Sequence, residues 1–272
     1  MTNPTTAPIP RIFVVNLPAD VERRRFMEAQ LEQFKLPFVF QEAVRGKSLS
    51  GGELAASYDK DKALHFKRRR LPGRELTLAE IGCALSHVAI YKKMLAENME
   101  CALILEDDAL LGGDVPEILS RLAKKIDFQK PDIILLSVVA NYSRWGRRPF
   151  AGKYHFVSPY SKRPWWRSHG YFITRAAAGT LARELFPVWS VADDWLTFSE
   201  NFNIRLSAIV PYCVGISDHG KNSSLETERK TALSKLKTRR SLLFYIHDCL
   251  WNRIVHRLLI FPVFAKKQKE TW

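Results

Sequence analysis

Apolar and polar positions alternate along this chain in short runs and helical spacings. The run Arg11-Ile12-Phe13-Val14-Val15, closed by Asn16-Leu17-Pro18, predicts a core strand. Over 21–34, Phe26, Met27, Leu31 and Phe34 share one helical face and Arg23, Arg24 and Arg25 crowd the start, so an amphipathic helix follows. Phe38-Val39-Phe40 predicts a second strand, and strand, helix, strand in that order indicates a parallel α/β arrangement. Thr77 and Glu80 stand at capping-box spacing and open a helix to about Glu97, closed by Asn98. Further strands are expected at 102–105, 132–139, 171–173 and 204–210, with helices at 115–125 and 175–185. No internal repeat is visible.

The C-terminal stretch differs. From Lys221 to Arg240, lysine and arginine alternate with serine and threonine, and 242–264 is apolar with polar interruptions. On a helix, Leu243, Ile246, Leu250, Ile254, Leu258 and Phe261 share one face, opposite Asp248, Asn252, Arg253, His256 and Arg257. Such a helix can lie in a membrane interface, with Trp251 and flanking cations as anchors, or pack back on the main domain.

A length of 272 residues with 46% hydrophobic content is enough for one substantial core, which excludes a disordered chain. The formal net charge of +14 favours a polyanionic partner, be it nucleic acid, an acidic membrane face or a phosphorylated sugar polymer. Lys60, Lys62, Lys67, Arg68, Arg69, Arg70 and Arg74, with Pro72-Gly73, predict a basic loop over 60–74. Cys83, Cys101, Cys213 and Cys249 are too scattered for a disulfide framework or a zinc motif. Neither a signal-peptide pattern nor an uninterrupted apolar run of about 18 residues is present, so a cytoplasmic location is expected.

Chemistry concentrates at three places. Glu106-Asp107-Asp108 follows the apolar Ala102-Leu103-Ile104-Leu105, so a buried strand delivers three acids at its carboxyl end, where α/β enzymes place their sites. Adjacent acids repel and need a cation; Glu106 and Asp108, two apart, face the same side of an extended chain and suit Mg2+ or Mn2+ bridging a diphosphate. A solvated acidic turn is the competing reading. Asp193-Asp194-Trp195 offers a general base beside an apolar ring, or simply a helix N-cap. Asp218-His219-Gly220-Lys221 offers His219 to complete a metal site begun by Asp108 and Lys221 for phosphate, or a solvated loop. Ser86-His87 sits within a helix, where a hydrogen-bonded structural histidine is the expected role, and Gly170 after His169 allows a close backbone approach, for instance to a sugar. A Walker loop, a glycine-rich dinucleotide fingerprint and a nucleophile elbow are all missing, which leaves metal-assisted use of a diphosphate.

Taken together, these segments resemble glycosyltransferase family 25, which includes bacterial lipooligosaccharide galactosyltransferases and collagen galactosyltransferases. The resemblance rests on Val15-Asn16-Leu17 with Glu22-Arg23-Arg24, on Glu42-Ala43-Val44-Arg45-Gly46, on Leu76-Thr77 leading into Glu80 to His87, on Leu103 to Asp108, on Tyr171-Phe172-Ile173-Thr174 with Ala176 to Ala178, and on Asp194-Trp195. It covers most of residues 11–220 and implies an α/β fold of the GT-A nucleotide-sugar type over 1–225, with a mixed, mostly parallel central sheet flanked by helices; the residue pattern adds a basic amphipathic helical tail over 226–272. It implies inverting transfer of a hexose, usually galactose from UDP-galactose, to a lipooligosaccharide acceptor at the inner membrane, where the tail would attach the protein peripherally. On this resemblance Glu106 and Asp108 hold Mn2+ or Mg2+, and Asn16, Arg24, Ser86 and His87, with Asp107, border the UDP-sugar; the reading of the 218–221 loop adds His219 as a further metal ligand and Lys221 as a phosphate contact. Asp194, beside Asp193, is the expected base. A nucleic-acid-binding protein driven by charge, and a noncatalytic membrane-associated protein using the tail, are the competing functions. The first would interleave exposed aromatics with cations, whereas most aromatics here occupy apolar strand or helix positions.

Overall fold

The computed structural model describes residues 10–66, 73–160, 165–218 and 265–268. The first strand, β1 (Arg11–Asn16), is followed by α1 (Val21–Gln33) and β2 (Phe38–Glu42), the parallel unit its pattern implies. After a 3-10 turn at Gly46–Ser48 come α2 (Gly51–Ser57), α3 (Lys60–His65) and α4 (Leu78–Ala96). The middle of the chain forms β3 (Cys101–Glu106), β4 (Ala109–Leu111), α5 (Val115–Lys125), β5 (Asp132–Leu135), β6 (Asn141–Ser143), β7 (Arg148–Ala151) and β8 (Tyr154–Val157). Then follow β9 (Gly170–Thr174), α6 (Arg175–Glu184), α7 (Trp195–Phe202), β10 (Arg205–Val210), β11 (Val214–Ile216) and β12 (Ala265–Lys267).

Eight strands form one sheet in the order β2-β1-β3-β9-β5-β10-β8-β7. The β1 strand runs parallel to β2 and β3, β9 is antiparallel to β3 and β5, β10 is parallel to β5, and β8 is antiparallel to β10 and β7. Six strands therefore share one direction, with β9 and β8 reversed, and the expected mixed, mostly parallel sheet is present. Because side chains alternate across a strand, Phe13, Val15, Ala102, Ile104, Tyr171 and Ile173 pack with Val88, Tyr91, Leu181 and Phe198 of α4, α6 and α7. Ile12, Val14, Leu103, Leu105 and Phe172 pack on the other face with Met27 and Leu31 of α1 and Ile118 and Leu122 of α5. Burial on both faces explains why β1 and β3 are unbroken apolar runs rather than alternating ones. Truncating Leu31, fully buried, to Ala would cost roughly 2–5 kcal/mol.

The helix α4 begins as its capping box dictates. Thr77 accepts the Glu80 N–H while the Glu80 carboxylate accepts the Thr77 N–H at 3.0 Å, and Asn98, in the left-handed region at φ 54°, follows its C-terminus. Gly82 on this helix meets the preceding loop so closely that a Cβ would lie 2.3 Å from the Val44 carbonyl oxygen.

Several expectations need correction. The basic loop over 60–74 is in part the helix α3, capped by Asp59, which accepts the Lys62 N–H at 2.8 Å. Its described cations are engaged in structure: Lys60 pairs with Glu75, Lys62 lies over the Trp189 ring, and Arg74 makes a two-pronged pair with Glu80 at 2.8 and 2.5 Å. Residues 67–72 lie outside the described residues. The strand expected over 132–139 ends at Leu135. The next residue, Leu136, instead gives its N–H to Gly170 and its carbonyl to Cys213 and Val214. The run stays apolar through Val139 because the segment is buried, not because it remains in the ladder.

The amphipathic helix expected over 242–264 falls on residues outside the described ones. Just beyond it, β12 pairs antiparallel with β6, joining Lys266 to Tyr142, and Gln268 accepts the Val139 N–H at 2.9 Å. No helix among the described residues is long and apolar enough to cross a membrane.

Candidate active site

The carboxyl end of β3 lies between β1 and β9, and the backbones of both neighbours supply side chains to the acids it delivers. Val15 pairs with Glu106 in the β1 ladder, so Asn16 is carried alongside the triplet. Leu105 pairs with Gly170 and the Glu106 N–H donates to the His169 carbonyl at 3.2 Å, so Ser168 and His169 arrive from the other side.

The β3 strand ends at Glu106 and residues 107–108 form the turn into β4, so this turn rather than strand alternation parts the three acids. Asp107 turns toward β1 and α1, accepting from Asn16 Nδ2 at 2.9 Å and from Arg23 Nη1 at 3.0 Å. Burial raises the Asp107 pKa, and the Asn16 and Arg23 hydrogen bonds offset only part of that rise. Glu106 and Asp108 converge instead on His169, whose Nδ1 is 3.2 Å from Glu106 Oε2 and 2.9 Å from Asp108 Oδ1. Ser168 Oγ also donates to Glu106 Oε1. Burial disfavours charge on both Glu106 and His169, yet each is the other's dominant counter-charge. The Glu106 carboxyl is held well below the usual range, and the His169 imidazole is raised to about 10. Nδ1 of His169 thus faces both carboxylates at once, as a third group on the point where they converge.

Glu106, Asp108 and His169 each present a ligand atom within 4.8 Å of the others. Two hard oxygens and one imidazole nitrogen suit Mn2+ somewhat better than Mg2+, whose sites are built almost wholly from oxygen. Two nearby polar atoms, Asn16 Oδ1 and Ser217 Oγ, are buried without a hydrogen-bond partner. Buried polar atoms are seldom left so unless a ligand or water completes them, so the corner fits a metal and its diphosphate.

The sequence pointed to Glu106 and Asp108 but missed His169, whose only signal was its place before Gly170. Gly170 itself is needed for a protein contact, since a Cβ there would lie 2.8 Å from the Val214 side chain. His219 and Lys221 lie outside the described residues. Ser217, two residues before His219, donates its backbone N–H to the Asp108 carbonyl at 2.9 Å. Arg24 stands away from the acids, over the Phe40 ring at 3.9 Å and 3.4 Å from Glu28, while its neighbour Arg23 reaches Asp107. Arg24 and Asn16 do line one cleft, together with Pro18, Phe40 and Glu42. Ser86 is fully buried, with its hydroxyl donating to the Gly82 carbonyl at 2.7 Å and accepting the Val44 N–H at 2.8 Å. His87 is also fully buried, with Nδ1 2.7 Å from the Tyr171 hydroxyl, and burial lowers its pKa against the opposing pull of Glu106 and Asp193.

The second acidic pair borders the first. Asp193 accepts the Arg167 N–H at 3.0 Å, and Trp195 Nε1 donates to the Arg167 carbonyl at 3.0 Å while its ring packs on Tyr171. Asp194 occupies the N-cap position of α7 without a side-chain capping bond; its carboxylate accepts instead from Ser190 Oγ at 2.8 Å.

The sequence profile of glycosyltransferase family 25, described as an LPS biosynthesis protein family, matches residues 9–197. The chain belongs to glycosyltransferase family 25. Among relatives, the lipooligosaccharide biosynthesis protein lic2B of Haemophilus influenzae is 27% identical over 84% of this chain and 86% of its own length. A putative glycosyltransferase of Haemophilus influenzae is 28% identical over 50% of this chain and 44% of its own. Procollagen galactosyltransferase 2 of Homo sapiens is 32% identical over 47% of this chain and 20% of its own. The chain thus spans less than half the length of the last two, whereas lic2B is matched nearly end to end. The family profile covers β1 through the start of α7, which takes in both acidic clusters.

Proposed function

We propose that this family 25 member is a metal-dependent, inverting glycosyltransferase that moves a hexose, galactose from UDP-galactose, onto a lipooligosaccharide-type acceptor. The observation that carries this reading is the convergence of Glu106 and Asp108 on one point at the end of β3, with His169 Nδ1 3.2 and 2.9 Å from their oxygens. The lipooligosaccharide and galactosyl parts are supported by what the relatives' names say of those proteins.

In this reading Glu106, Asp108 and His169 hold Mn2+ or Mg2+, and His219 is kept as a further ligand on sequence grounds. The ion supplies charge neutralisation for the departing diphosphate. Asn16 and Arg24 border the donor through their shared cleft, Asp107 holds Asn16 and Arg23 in place, and Ser86 and His87 act from behind by fixing α4 against the loop and β9. Lys221 is kept as a phosphate contact on sequence grounds. Inversion takes one in-line displacement, in which the acceptor hydroxyl loses its proton as it attacks the anomeric carbon from the face opposite the leaving group. Asp194 takes that proton in this proposal, with Asp193 as its neighbour. Attachment to an anionic membrane surface through 226–272 is part of the same proposal, resting on the tail's composition.

The test is sugar transfer from a panel of UDP-hexoses to truncated lipooligosaccharide, with and without Mn2+. Asp108→Ala and metal removal should each abolish transfer, and Asp194→Ala should abolish it while leaving UDP binding intact. Transfer that ignored both chelation and Asp108→Ala would overturn the metal reading, and full transfer by Asp194→Ala would overturn the base assignment.

A further inference from the structure

Cys83 and His87 lie four residues apart on α4, so both side chains leave the same helix face, and that face meets the end of β3. The Cys83 thiol, one ring nitrogen of His87 and a carboxylate oxygen of Glu106 all lie within 4.8 Å of one another. Nδ1 of His87 is taken by the Tyr171 hydroxyl, which is itself 2.8 Å from the Tyr91 hydroxyl, so the ring is held in one orientation. The other nitrogen, Nε2, is fully buried and has no hydrogen-bond partner, and it faces Glu106 Oε1 across 4.0 Å.

That gap is too long for a hydrogen bond and close to what two ligands of one ion need, about 3.3–3.8 Å for bonds of 2.0–2.3 Å to a tetrahedral centre. A ring nitrogen held bare by a hydrogen bond on its opposite nitrogen is how metal-ligating histidines are commonly oriented. Cys83 is half-buried, which leaves a way in for an ion. We propose that Cys83, His87 and Glu106 form a second cation site, fit for a borderline-soft divalent ion such as Zn2+, beside the corner formed by Glu106, Asp108 and His169. The two sites divide the carboxylate: Oε2 faces His169 and Oε1 faces His87. The donor sets differ in kind, since a thiolate selects zinc over magnesium or manganese. Binding converts the Cys83 thiol to a zinc thiolate and releases its proton to solvent. Because Glu106 is shared, an ion in one site weakens binding in the other through mutual repulsion, and the effect is reciprocal.

The site can be tested on the full chain without any sugar donor. Co2+ added to the metal-free protein should give a near-ultraviolet thiolate-to-cobalt charge-transfer band that Zn2+ displaces, that Cys83→Ser removes and that His169→Ala keeps. In the unaltered protein, Zn2+ should protect Cys83 from alkylation, mapped by mass spectrometry against Cys101, Cys213 and Cys249, so the result does not depend on a variant folding. Absence of a thiolate band, a band that survives Cys83→Ser, or unprotected Cys83 at saturating Zn2+ would each overturn the proposal while leaving the transferase reading untouched.

Discussion

Asp193 accepts the backbone N–H of Arg167 at 3.0 Å, and through that bond the second acidic cluster sets the geometry of the first. Arg167 has φ 90°, a backbone conformation costly for any residue with a Cβ, and it stays there because Asp193 grips its N–H and Trp195 its carbonyl. The next two residues are Ser168 and His169, the ones that reach Glu106 and Asp108. Asp193→Ala should therefore weaken Mn2+ binding roughly 10-fold or more, as removal of outer partners of metal ligands usually does. Asp193→Asn, which keeps an acceptor oxygen, should restore most of it. Calorimetric titration of the three proteins decides; equal affinities would sever the link.

Metal binding should compete with a proton on His169. Its imidazole is raised to about 10 by Glu106 and Asp108 against the opposing effect of burial, so a cation must displace that proton. Mn2+ affinity should rise with pH across the neutral range, and close to one proton should be released per ion in a weakly buffered titration. His169→Gln should flatten the pH dependence.

The same pair makes the metal-free fold sensitive to alkali. A histidine raised on folding contributes stability that is fully present below its ordinary pKa of about 6.5 and is lost as pH climbs through the folded value. Thermal melts of the metal-free protein at about pH 7 and about pH 10.5 should show a larger drop for the native chain than for His169→Gln. Equal drops would mean the imidazolium contributes nothing to stability.

Arg74 should prove structural. Glu80 is almost fully buried and holds both the helix cap and the two-pronged bond to Arg74, so Arg74→Ala leaves a buried carboxylate short of its counter-charge. A loss of about 3 kcal/mol in urea unfolding is expected, with little change in acceptor affinity. Weakened acceptor binding at unchanged stability would restore the acceptor-attracting role suggested by the basic sequence.

Gly82→Ala should also destabilise, because the new Cβ would sit 2.3 Å from the Val44 carbonyl oxygen and 2.6 Å from the Gly46 nitrogen, both backbone atoms that cannot swing aside. The loop would lift from α4 and the Val44 bond to Ser86 would open. Chemical denaturation measures the loss, and an unchanged midpoint would refute the close approach.

Much of the framework was legible in one dimension because its causes are local. The β1 and β3 runs are apolar since both faces are covered, and the Thr77 and Glu80 pair caps its own helix. Glu106 and Asp108 do face one partner, but through the turn at 107–108 between β3 and β4 and not along an extended strand. The 60–74 stretch misled because charge density carries no information about partners: Glu75, Glu80 and the Trp189 ring absorb those cations from elsewhere in the chain. Likewise α2 went unseen although Ser50 and Glu53 form a capping box, since its seven residues bury none of their own and so leave no apolar stripe.

Sequence by itself settled that three acids end a buried strand and that the chain resembles family 25, because adjacency along the backbone and the order of motifs are properties of the string. Only the tertiary structure chose the partners. His169 reaches the acids because β9 runs antiparallel beside β3, Arg23 rather than Arg24 meets Asp107 because of the way α1 sits over β1, and His87 is brought to Glu106 by the packing of α4 on the sheet. Each is a contact between residues more than 15 positions apart, and the direction in which a side chain points across such a distance is fixed by packing, not by spacing.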